Sequence, residues 1–308
     1  MPPAHQLASL DIMTSTHGSD HRHHGRHSHG THDHGAHDHD GTDIGDLLEL
    51  DAAVTGTYLD EAISLIRTET TRPIEVIVDA GAGTGVGTRA LAAAFGDAEI
   101  VAIDGSPEMT ARIDAAGPGT VRTVTADLDD GWPASVGAAD VVWASASLHH
   151  VTDPAAFLRT TRSHLRPGGV LAVIEMPHQP RFLQTETPHT DLNDRIEELM
   201  RAKGANSFPD WTDTITAAGF EMRTRHTVRI DVPEPTELTR AYAQAWLSRV
   251  RTGLDDDLTD TDAATLDESL GDGPTSLRHR RDLAVRAART IWIATVPTST
   301  TETNQEIS

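Results

Sequence analysis

Residues 75–95 constrain the fold of this chain more than any other stretch. A β-branched run at residues 76–78 ends at Asp79, glycines follow at alternate positions, and an Ala/Leu-rich segment of helical spacing comes next. The glycines are Gly81, Gly83, Gly85 and Gly87. This order predicts a buried strand, a tight loop and a helix. Because glycine tolerates positive φ and has no Cβ, and because a helix start offers unpaired N–H groups, we expect a small ligand to lie against the loop.

The spacing of these glycines distinguishes between the classes of ligand that such a loop can bind. A dinucleotide fingerprint requires a third small residue where Val86 stands, and a second match that begins at Gly85 lies too deep in the helix. No Gly-Lys-Ser/Thr sequence follows, which excludes a P-loop. The pattern acid-x-Gly-x-Gly-x-Gly, from Asp79 to Gly85, instead resembles the first motif of the class I S-adenosylmethionine-dependent methyltransferases. The resemblance implies that the acid bonds toward the methionine part of this cofactor.

The next predicted strand also ends in an acid. Asp104 follows an apolar run at residues 98–103 and stands 25 residues after Asp79. Because a carboxylate at the tip of the second strand of a β-α-β unit can accept both ribose hydroxyls, Asp104 is the predicted ribose ligand. Ser106 is then a helix N-cap before a proline, and Met109 is expected to face back toward the site.

Two later segments extend the resemblance. Residues 121–126 form a third predicted strand before Asp127, and residues 139–144 form a fourth before Ser145. In the methyltransferase family, an acid after the third strand lies near the adenine amino group, and the end of the fourth strand faces the methyl donor. The sequence Leu-Arg-Pro-Gly-Gly-x-Leu, at residues 165–171, is a further landmark of the family.

The resemblance therefore implies a binding site for S-adenosylmethionine. It comprises Asp79, Gly81, Ala82, Gly83, Thr84, Gly85, Asp104, Gly105, Ser106, Met109, Asp127, Leu128, Ala144 and Ser145. Methyl transfer needs a base only when the acceptor is a hydroxyl or a protonated amine. The predicted candidates for this role are His149 and His150, with Glu175 and His178 as weaker ones; a histidine here could equally only pack or bond to the backbone.

Strands that alternate with helices predict a parallel sheet with right-handed crossovers and ligands at the carboxyl ends of the strands. The expected fold is α/β, a Rossmann-like doubly wound sheet of seven strands, mostly parallel with an antiparallel last strand. The resemblance places that last strand, expected at residues 289–296, between the fifth and sixth strands. Residues 277–288 are expected to be helical, and Trp211, Tyr242 and Trp246 are expected in the core.

The predicted organisation is a disordered arm at residues 1–42, a methyltransferase domain at residues 43–297 and a disordered tail at residues 298–308. Within the domain, residues 75–175 form the cofactor half, and elements within residues 43–72 and 176–288 build the acceptor pocket. Residues 43–67 are expected to form one or two amphipathic helices with a break at Gly56.

The composition restricts the classes of molecule that this chain is expected to bind. The formal net charge is -22, from 47 acidic against 25 basic residues, which disfavours nucleic acid and anionic membranes. No cysteine is present, so disulfides, thiol catalysis and cysteine–zinc sites are excluded. The sequence has no apolar run of membrane-spanning length and no signal-peptide core. We expect a cytoplasmic protein with a small-molecule methyl acceptor, no nucleic-acid partner and no membrane partner.

The first 42 residues are rich in histidine and nearly free of apolar side chains, a composition that predicts disorder. Imidazoles at this spacing can chelate zinc or nickel. The predicted metal ligands are His21, His23, His24, His27, His29, His32, His34, His37 and His39.

Two alternative functions stay open for the chain. One is a metal-handling protein on a non-catalytic methyltransferase fold, and the other is a nicotinamide-dependent enzyme on a related sheet.

Overall fold

A computed structural model describes residues 43–116, 119–182, 190–203 and 208–298 of the chain. The elements of the first half are α1 (Ile44–Thr55), α2 (Tyr58–Glu69), β1 (Val76–Ala80), α3 (Val86–Ala94), β2 (Glu99–Asp104), α4 (Pro107–Ala116), β3 (Val121–Thr125), β4 (Ala139–Ser145), α5 (Pro154–His164) and β5 (Leu165–Glu175). Those of the second half are α6 (Thr190–Ala202), α7 (Thr212–Ala217), β6 (Glu221–Val232), α8 (Glu237–Gly253), α9 (Asp260–Leu270) and β7 (Val285–Thr295). The predicted break at Gly56 separates α1 from α2.

The strands form one seven-stranded sheet in the order β3-β2-β1-β4-β5-β7-β6. The pairs among β1 to β5 are parallel, and β7 is antiparallel to both β5 and β6. The predicted Rossmann-like doubly wound sheet with an inserted antiparallel last strand is confirmed. Because the strand order reverses between β1 and β4, the crevice outside the carboxyl ends of these two strands is the expected ligand position.

Alternation along the strands gives both faces of the sheet an apolar layer. Ile77 on β1 packs in the cluster that contains Ile66 of α2 and Leu91 of α3. Its neighbour Val78 packs on the opposite face, in the cluster that contains Leu158 of α5. Successive side chains of a strand point to opposite faces, so a continuous apolar run is required where helices cover both of them.

A third apolar cluster lies where α1 packs against α8. It contains Leu47 and Val54 of α1 and Tyr242, Trp246 and Val250 of α8, all buried. The rings of Tyr242 and Trp246 meet edge to face, with centroids 6.3 Å apart. The prediction that these two aromatic residues belong to the core is confirmed, as it is for Trp211, which is buried with α7 under the sheet.

The predicted helix at residues 277–288 is wrong. Residues 277–284 are turns and irregular backbone, and β7 begins at Val285, which pairs with Val232 of β6. Ala284 donates its backbone N–H to the carbonyl of Phe182 instead of to a helical partner. The alanine-rich run favours a helix by intrinsic propensity, but pairing with β6 and burial of the strand outweigh that preference. None of the helices in the described ranges is long and apolar enough to cross a membrane.

Candidate active site

A cavity of about 480 Å³ opens at the carboxyl ends of β1, β2 and β4. Twelve of the residues predicted for the cofactor line it, namely Asp79, Gly81, Ala82, Gly83, Thr84, Asp104, Gly105, Ser106, Met109, Asp127, Leu128 and Ser145. The two histidines predicted as candidate bases, His149 and His150, line it as well. The fold thus gathers into one cavity predicted residues from Asp79 to His150, which are 71 positions apart in the chain.

Two residues predicted for the cofactor do not line the cavity. Ala144 is fully buried inside β4, where it pairs with Val173 of β5. Gly85 is the N-cap of α3, with φ of 85°, and a Cβ there would lie 2.7 Å from Cγ1 of Ile113. Gly85 therefore lets α3 approach α4 closely.

The glycine loop is fixed by backbone hydrogen bonds to β2. The N–H groups of Gly81 and Ala82 donate to the carbonyl of Ile103 at 2.8 and 2.9 Å. Gly81 has φ of 77°, and a Cβ on it would lie 2.4 Å from Cβ of Ser147. Gly83 has φ of 53°, and a Cβ on it would have only one heavy atom within 4 Å, Cδ1 of Leu48 at 3.5 Å. Gly81 thus serves close packing within the protein, whereas Gly83 leaves its side open toward the cavity.

Asp104 holds the loop in place. Its Oδ2 accepts the N–H of Gly83 at 2.8 Å, and its Oδ1 accepts the N–H of Ser106 at 2.8 Å. The carboxylate therefore joins the glycine loop to the start of α4. Each carboxylate oxygen has a further lone pair for a hydroxyl donor.

Asp79 has a different environment. It is buried, and its Oδ2 accepts the hydroxyl of Thr88 at 2.6 Å. Burial raises the pKa of the Asp79 carboxyl to about 7; the Thr88 hydrogen bond opposes the rise and the charge of Asp104 adds to it. A cationic ligand group beside Asp79 would favour its ionised form.

On the other side of the cavity, a short 3₁₀ helix at residues 128–130 follows β3. Asp127 caps this helix, with Oδ1 accepting the N–H of Asp129 at 2.9 Å. Asp129 in turn accepts the backbone N–H and the hydroxyl of Thr152 at 2.8 and 2.6 Å. These bonds tie the segment after β3 to the segment after β4.

The segment after β4 brings His149 to a buried carboxylate. Oε2 of Glu175, the last residue of β5, lies 2.7 Å from Nδ1 of His149. The other oxygen, Oε1, accepts the backbone N–H of Leu148 at 2.9 Å. The ring of His150 lies beside that of His149, with centroids 4.0 Å apart. Glu175 is thus the hydrogen-bonding partner of His149, a pairing that the sequence did not reveal.

The sequence predicts acceptor-pocket elements within residues 43–72 but identifies no site residue there, and α1 and α2 supply part of the cavity wall. Their contributions to the cavity wall are Ile44, Leu48, Asp51, Ala52 and Tyr58. Asp51 forms a buried ion pair with Arg289 of β7, with N–O distances of 2.8 and 2.6 Å, and accepts the hydroxyl of Tyr242 at 2.6 Å. An acid within the apolar stripe of a predicted helix was the available signal. The cavity also includes Val86, Gly87, Asp129, Trp143, Ala146, Ser147, Val151 and Met176.

The described lining of the cavity is strongly acidic. It includes five aspartates, Asp51, Asp79, Asp104, Asp127 and Asp129, and no arginine or lysine among the residues that the structure describes. Asp51 is neutralised by Arg289 and the pKa of Asp79 is raised to about 7, so the negative potential comes mainly from Asp104, Asp127 and Asp129. The predicted metal ligands of the first 42 residues lie outside the described ranges, and within those ranges no group of three or more potential ligands could hold a metal ion.

Comparison with known proteins agrees with this geometry. A family model described as a methyltransferase domain matches residues 78–171. A solved structure from Bacillus halodurans, described as a candidate methyltransferase, superposes with a TM-score of 0.50 at 19% identity, over 78% of this chain and all of that one. The solved structure thus supports a Rossmann-like fold, and the family model supports a methyltransferase domain at residues 78–171.

The curated relatives of this chain are methyltransferases that act on a small molecule. The trans-aconitate 2-methyltransferase of Acidovorax sp. (strain JS42) is 40% identical over 142 residues, which cover 46% of this chain and 48% of that protein. The enzyme of the same name from Deinococcus radiodurans is 35% identical over 102 residues, 33% of this chain and 38% of that protein. The chain thus spans less than half the length of these relatives. The family model matches within the predicted cofactor half, and together with these relatives it supports the class I S-adenosylmethionine-dependent methyltransferase that the sequence predicts.

Proposed function

We propose that this chain binds S-adenosylmethionine in the cavity at the carboxyl ends of β1, β2 and β4 and transfers its methyl group to a small molecule. One observation carries the proposal: the glycine loop and the acids that end β1 and β2 or follow β3 converge on a single cavity. Sheets of this topology bind ligands at this place.

The lining residues suit the parts of this cofactor. We assign Asp104 to the ribose hydroxyls, Asp127 and Leu128 to the adenine, and Asp79 with the loop from Gly81 to the methionine part. Gly83 leaves room for close approach because only one side-chain atom lies within 4 Å of its Cβ direction. The indole N–H of Trp143 is buried behind the cavity wall and has no hydrogen-bond partner among the described residues.

Charge supports the same assignment. S-adenosylmethionine carries a sulfonium and an ammonium against one carboxylate, so its net charge at neutral pH is positive. A cavity lined by Asp104, Asp127 and Asp129, with Asp79 able to ionise beside a cation, attracts such a ligand. NAD has the opposite charge, and its pyrophosphate would face these carboxylates without an arginine or lysine among the described lining residues.

When bound, the cofactor supplies a methyl group already activated on sulfur. The protein therefore has to align the acceptor and keep water out. Leu48, Ile44 and Ala52 of α1 cover one side of the cavity, and Val151 and Met176 cover another. We propose that residues 43–297 act as one domain, with residues 75–175 as its cofactor half and the segments around them as its acceptor side. The names of the curated relatives describe trans-aconitate as their acceptor, but the matches to the two relatives named above cover only 46% and 33% of this chain.

Calorimetric titration of the full chain with S-adenosylmethionine, S-adenosylhomocysteine and NAD tests the proposal. We expect micromolar dissociation constants for the two adenosyl compounds, in the absence of added metal, and at least 100-fold weaker binding of NAD, roughly 2.7 kcal/mol. Binding of NAD in preference to the adenosyl compounds, or of none of the three, would refute the proposed cofactor.

A further inference from the structure

The cavity wall contains a polar side chain that the proposed cofactor contacts leave unused. We infer that Asp51 of α1 recognises the methyl acceptor by accepting a hydrogen bond from it, so that the acceptor presents a hydroxyl or an ammonium group at this point. The inference rests on the proposed methyl transfer and deepens it, because it assigns an acceptor-binding residue and the chemical group that this residue selects.

The position of Asp51 lies away from the proposed adenosine contacts. At its start, α1 is bound to the helix that follows β2, because Asp43 forms an ion pair with Arg112 of α4. Asp51 lies eight residues further on, about 12 Å along the helix, and pairs with Arg289 of β7. In the sheet, β7 lies beyond β5, on the opposite side of β4 from β1 and β2. α1 therefore crosses from the cofactor side of the cavity to the other side, where Asp51 lies.

The hydrogen bonds of the Asp51 carboxylate define what it can still bind. Its Oδ1 accepts the hydroxyl of Tyr242 at 2.6 Å and Nη2 of Arg289 at 2.8 Å, whereas its Oδ2 accepts only Nη2 of Arg289, at 2.6 Å, among the described residues. An ionised carboxylate offers about four lone-pair sites, two on each oxygen. One site on Oδ2 is therefore left for a ligand. Because a carboxylate accepts hydrogen bonds and donates none, the ligand has to supply a donor.

The two partners of the ion pair differ in their access to the cavity. The side chain of Asp51 is 13% exposed and lines the cavity, whereas that of Arg289 is 4% exposed and is not among the described residues of the lining. The guanidinium thus occupies the protein side of the carboxylate, and the exposed part of Asp51 faces the cavity. A ligand carboxylate at this point would meet the oxygens of Asp51 without reaching the guanidinium behind them.

The surroundings of Asp51 are otherwise suited to an apolar molecule. Leu48 and Ala52 of α1 and Met176 line the cavity together with Asp51. Binding sites for small molecules combine apolar walls with a few polar groups that fix the orientation of the ligand. A polar atom in such a wall costs free energy when its hydrogen-bonding capacity is unfilled. A donor on the acceptor molecule completes the hydrogen bonds of Asp51 and orients that molecule in the cavity.

The selected group is tested by binding, which requires no turnover. The full chain is saturated with S-adenosylhomocysteine and titrated by ligand-observed NMR with probes that share a butyl or a phenylethyl skeleton and end in an amine, an alcohol, a fluoride or a carboxylate. We expect the better of the two donors to bind at least about 10-fold tighter than the fluoride and the carboxylate of the same skeleton. The tighter donor identifies the selected group. Equal binding of donor and non-donor probes in both skeletons, or no binding of any donor, would overturn the inference.

The residue is tested with Asp51→Asn. Arg289 and Tyr242 donate toward this side chain, so the asparagine presents its carbonyl oxygen to them and its NH₂ group to the cavity. Because the site then donates instead of accepting, the dissociation constant of the carboxylate divided by that of the amine should fall at least about 10-fold. A general loosening of α1 would weaken both probes alike and leave this ratio unchanged.

A second variant tests the same contact without leaving an unpaired charge. Asp51→Leu, Arg289→Met and Tyr242→Phe together replace the buried network by apolar side chains, an exchange that proteins often tolerate. The preference for the alcohol over the fluoride should then fall below about threefold. Tyr242→Phe alone is the matched control, because it removes one bond of the anchor and keeps Asp51 with Arg289. This control should retain the preference of the wild type.

The outcomes separate recognition from anchoring and from cofactor binding. An unchanged carboxylate-to-amine ratio in Asp51→Asn would overturn the inference, and so would a preference that is lost equally in Tyr242→Phe. A loss of S-adenosylhomocysteine affinity of more than about 10-fold in Asp51→Asn, with the probe ratio unchanged, would assign Asp51 to the cofactor instead. If S-adenosylhomocysteine does not bind to the wild type, the proposed function fails. If it binds and the probes show no preference for donors, this inference alone fails.

Discussion

Asp79 and Asp104 end neighbouring strands, but the structure gives them different tasks. Asp104 is held by two backbone N–H groups, which keep its carboxylate in position at the mouth of the cavity. Asp79 is buried, which raises its pKa to about 7 although the Thr88 hydroxyl donates to it, so a nearby cation would shift it toward the ionised form. Asp104 on β2 is thus held in one position by backbone donors, whereas the ionisation of Asp79 on β1 depends on the charge of a nearby ligand.

Replacing Asp104 by alanine should weaken binding of S-adenosylhomocysteine by about 10- to 100-fold, because charge-assisted hydrogen bonds contribute roughly 1.5–3 kcal/mol. The loss includes the loosening of the Gly83 backbone, which Asp104 holds. Calorimetry of the variant measures it. Asp97→Ala, in the exposed turn after α3, is the control and should bind like the wild type. Equal affinity of Asp104→Ala and the control would remove Asp104 from the site.

The raised pKa of Asp79 predicts how the stability of the ligand-free protein depends on pH. Between about pH 4 and the folded-state pKa of about 7, the folded state holds a proton that the unfolded state releases. The free energy of unfolding contributed by this group therefore decreases as pH rises through that window. Relative to Asp79→Asn, which does not titrate, the wild type should lose on the order of 2–4 kcal/mol between pH 4 and pH 8. Denaturant unfolding of both proteins measures the difference, and parallel pH curves would show that Asp79 is not perturbed.

At the scale of elements, the site joins two parts of the chain. β1, β2 and β4 supply the glycine loop and the acids, whereas α1 and α2 supply an apolar cover. The cover is anchored by the Asp51–Arg289 ion pair and by the Tyr242 hydroxyl, which connect α1 with β7 and α8. The guanidinium of Arg289 also lies 5.4 Å from the centre of the Tyr58 ring on α2. Elements remote in sequence therefore position the cover.

The glycine loop predicts an asymmetry between two similar substitutions. Gly81→Ala should destabilise the fold by about 2–4 kcal/mol, because the new Cβ would combine a left-handed φ with a clash against Ser147. Gly83→Ala should cost only about 1–2 kcal/mol, since its Cβ meets Leu48 at an ordinary contact distance. Thermal or denaturant unfolding ranks the two. Gly83→Val, which fills the open side of the loop, should instead abolish most cofactor binding, and equal costs for the two alanine variants would contradict this assignment.

Removal of the charge on Asp51 should lower the free energy of unfolding substantially. Asp51→Asn leaves Arg289 buried with a neutral partner, and breaking such a pair costs about 3–5 kcal/mol. Asp267→Asn breaks the exposed ion pair with Arg251 and should cost less than about 1 kcal/mol. Denaturant unfolding compares the two. A similar small effect of both would show that the buried pair does not anchor α1.

For the whole molecule, the sequence was most informative where a local pattern carries the physics. The glycine loop after β1 and the acids after the strands depend on short-range spacing, and the structure places them along one cavity, whose role as the cofactor site stays a prediction. The start of β7 was not predictable, because only its pairing with β6 outweighs the helical preference of residues 284–288. The pairing of His149 with Glu175 was not predictable either, since it depends on two strand ends that are 26 positions apart.

We propose that S-adenosylmethionine binds at the carboxyl ends of β1, β2 and β4. A crystal structure of the full chain with S-adenosylhomocysteine would show whether the cofactor lies there. We expect the ribose at Asp104, the adenine beside Asp127 and Leu128, and the homocysteine end against the glycine loop and Asp79. S-adenosylhomocysteine bound at any other place, with Asp104 and the glycine loop free of contact, would contradict it.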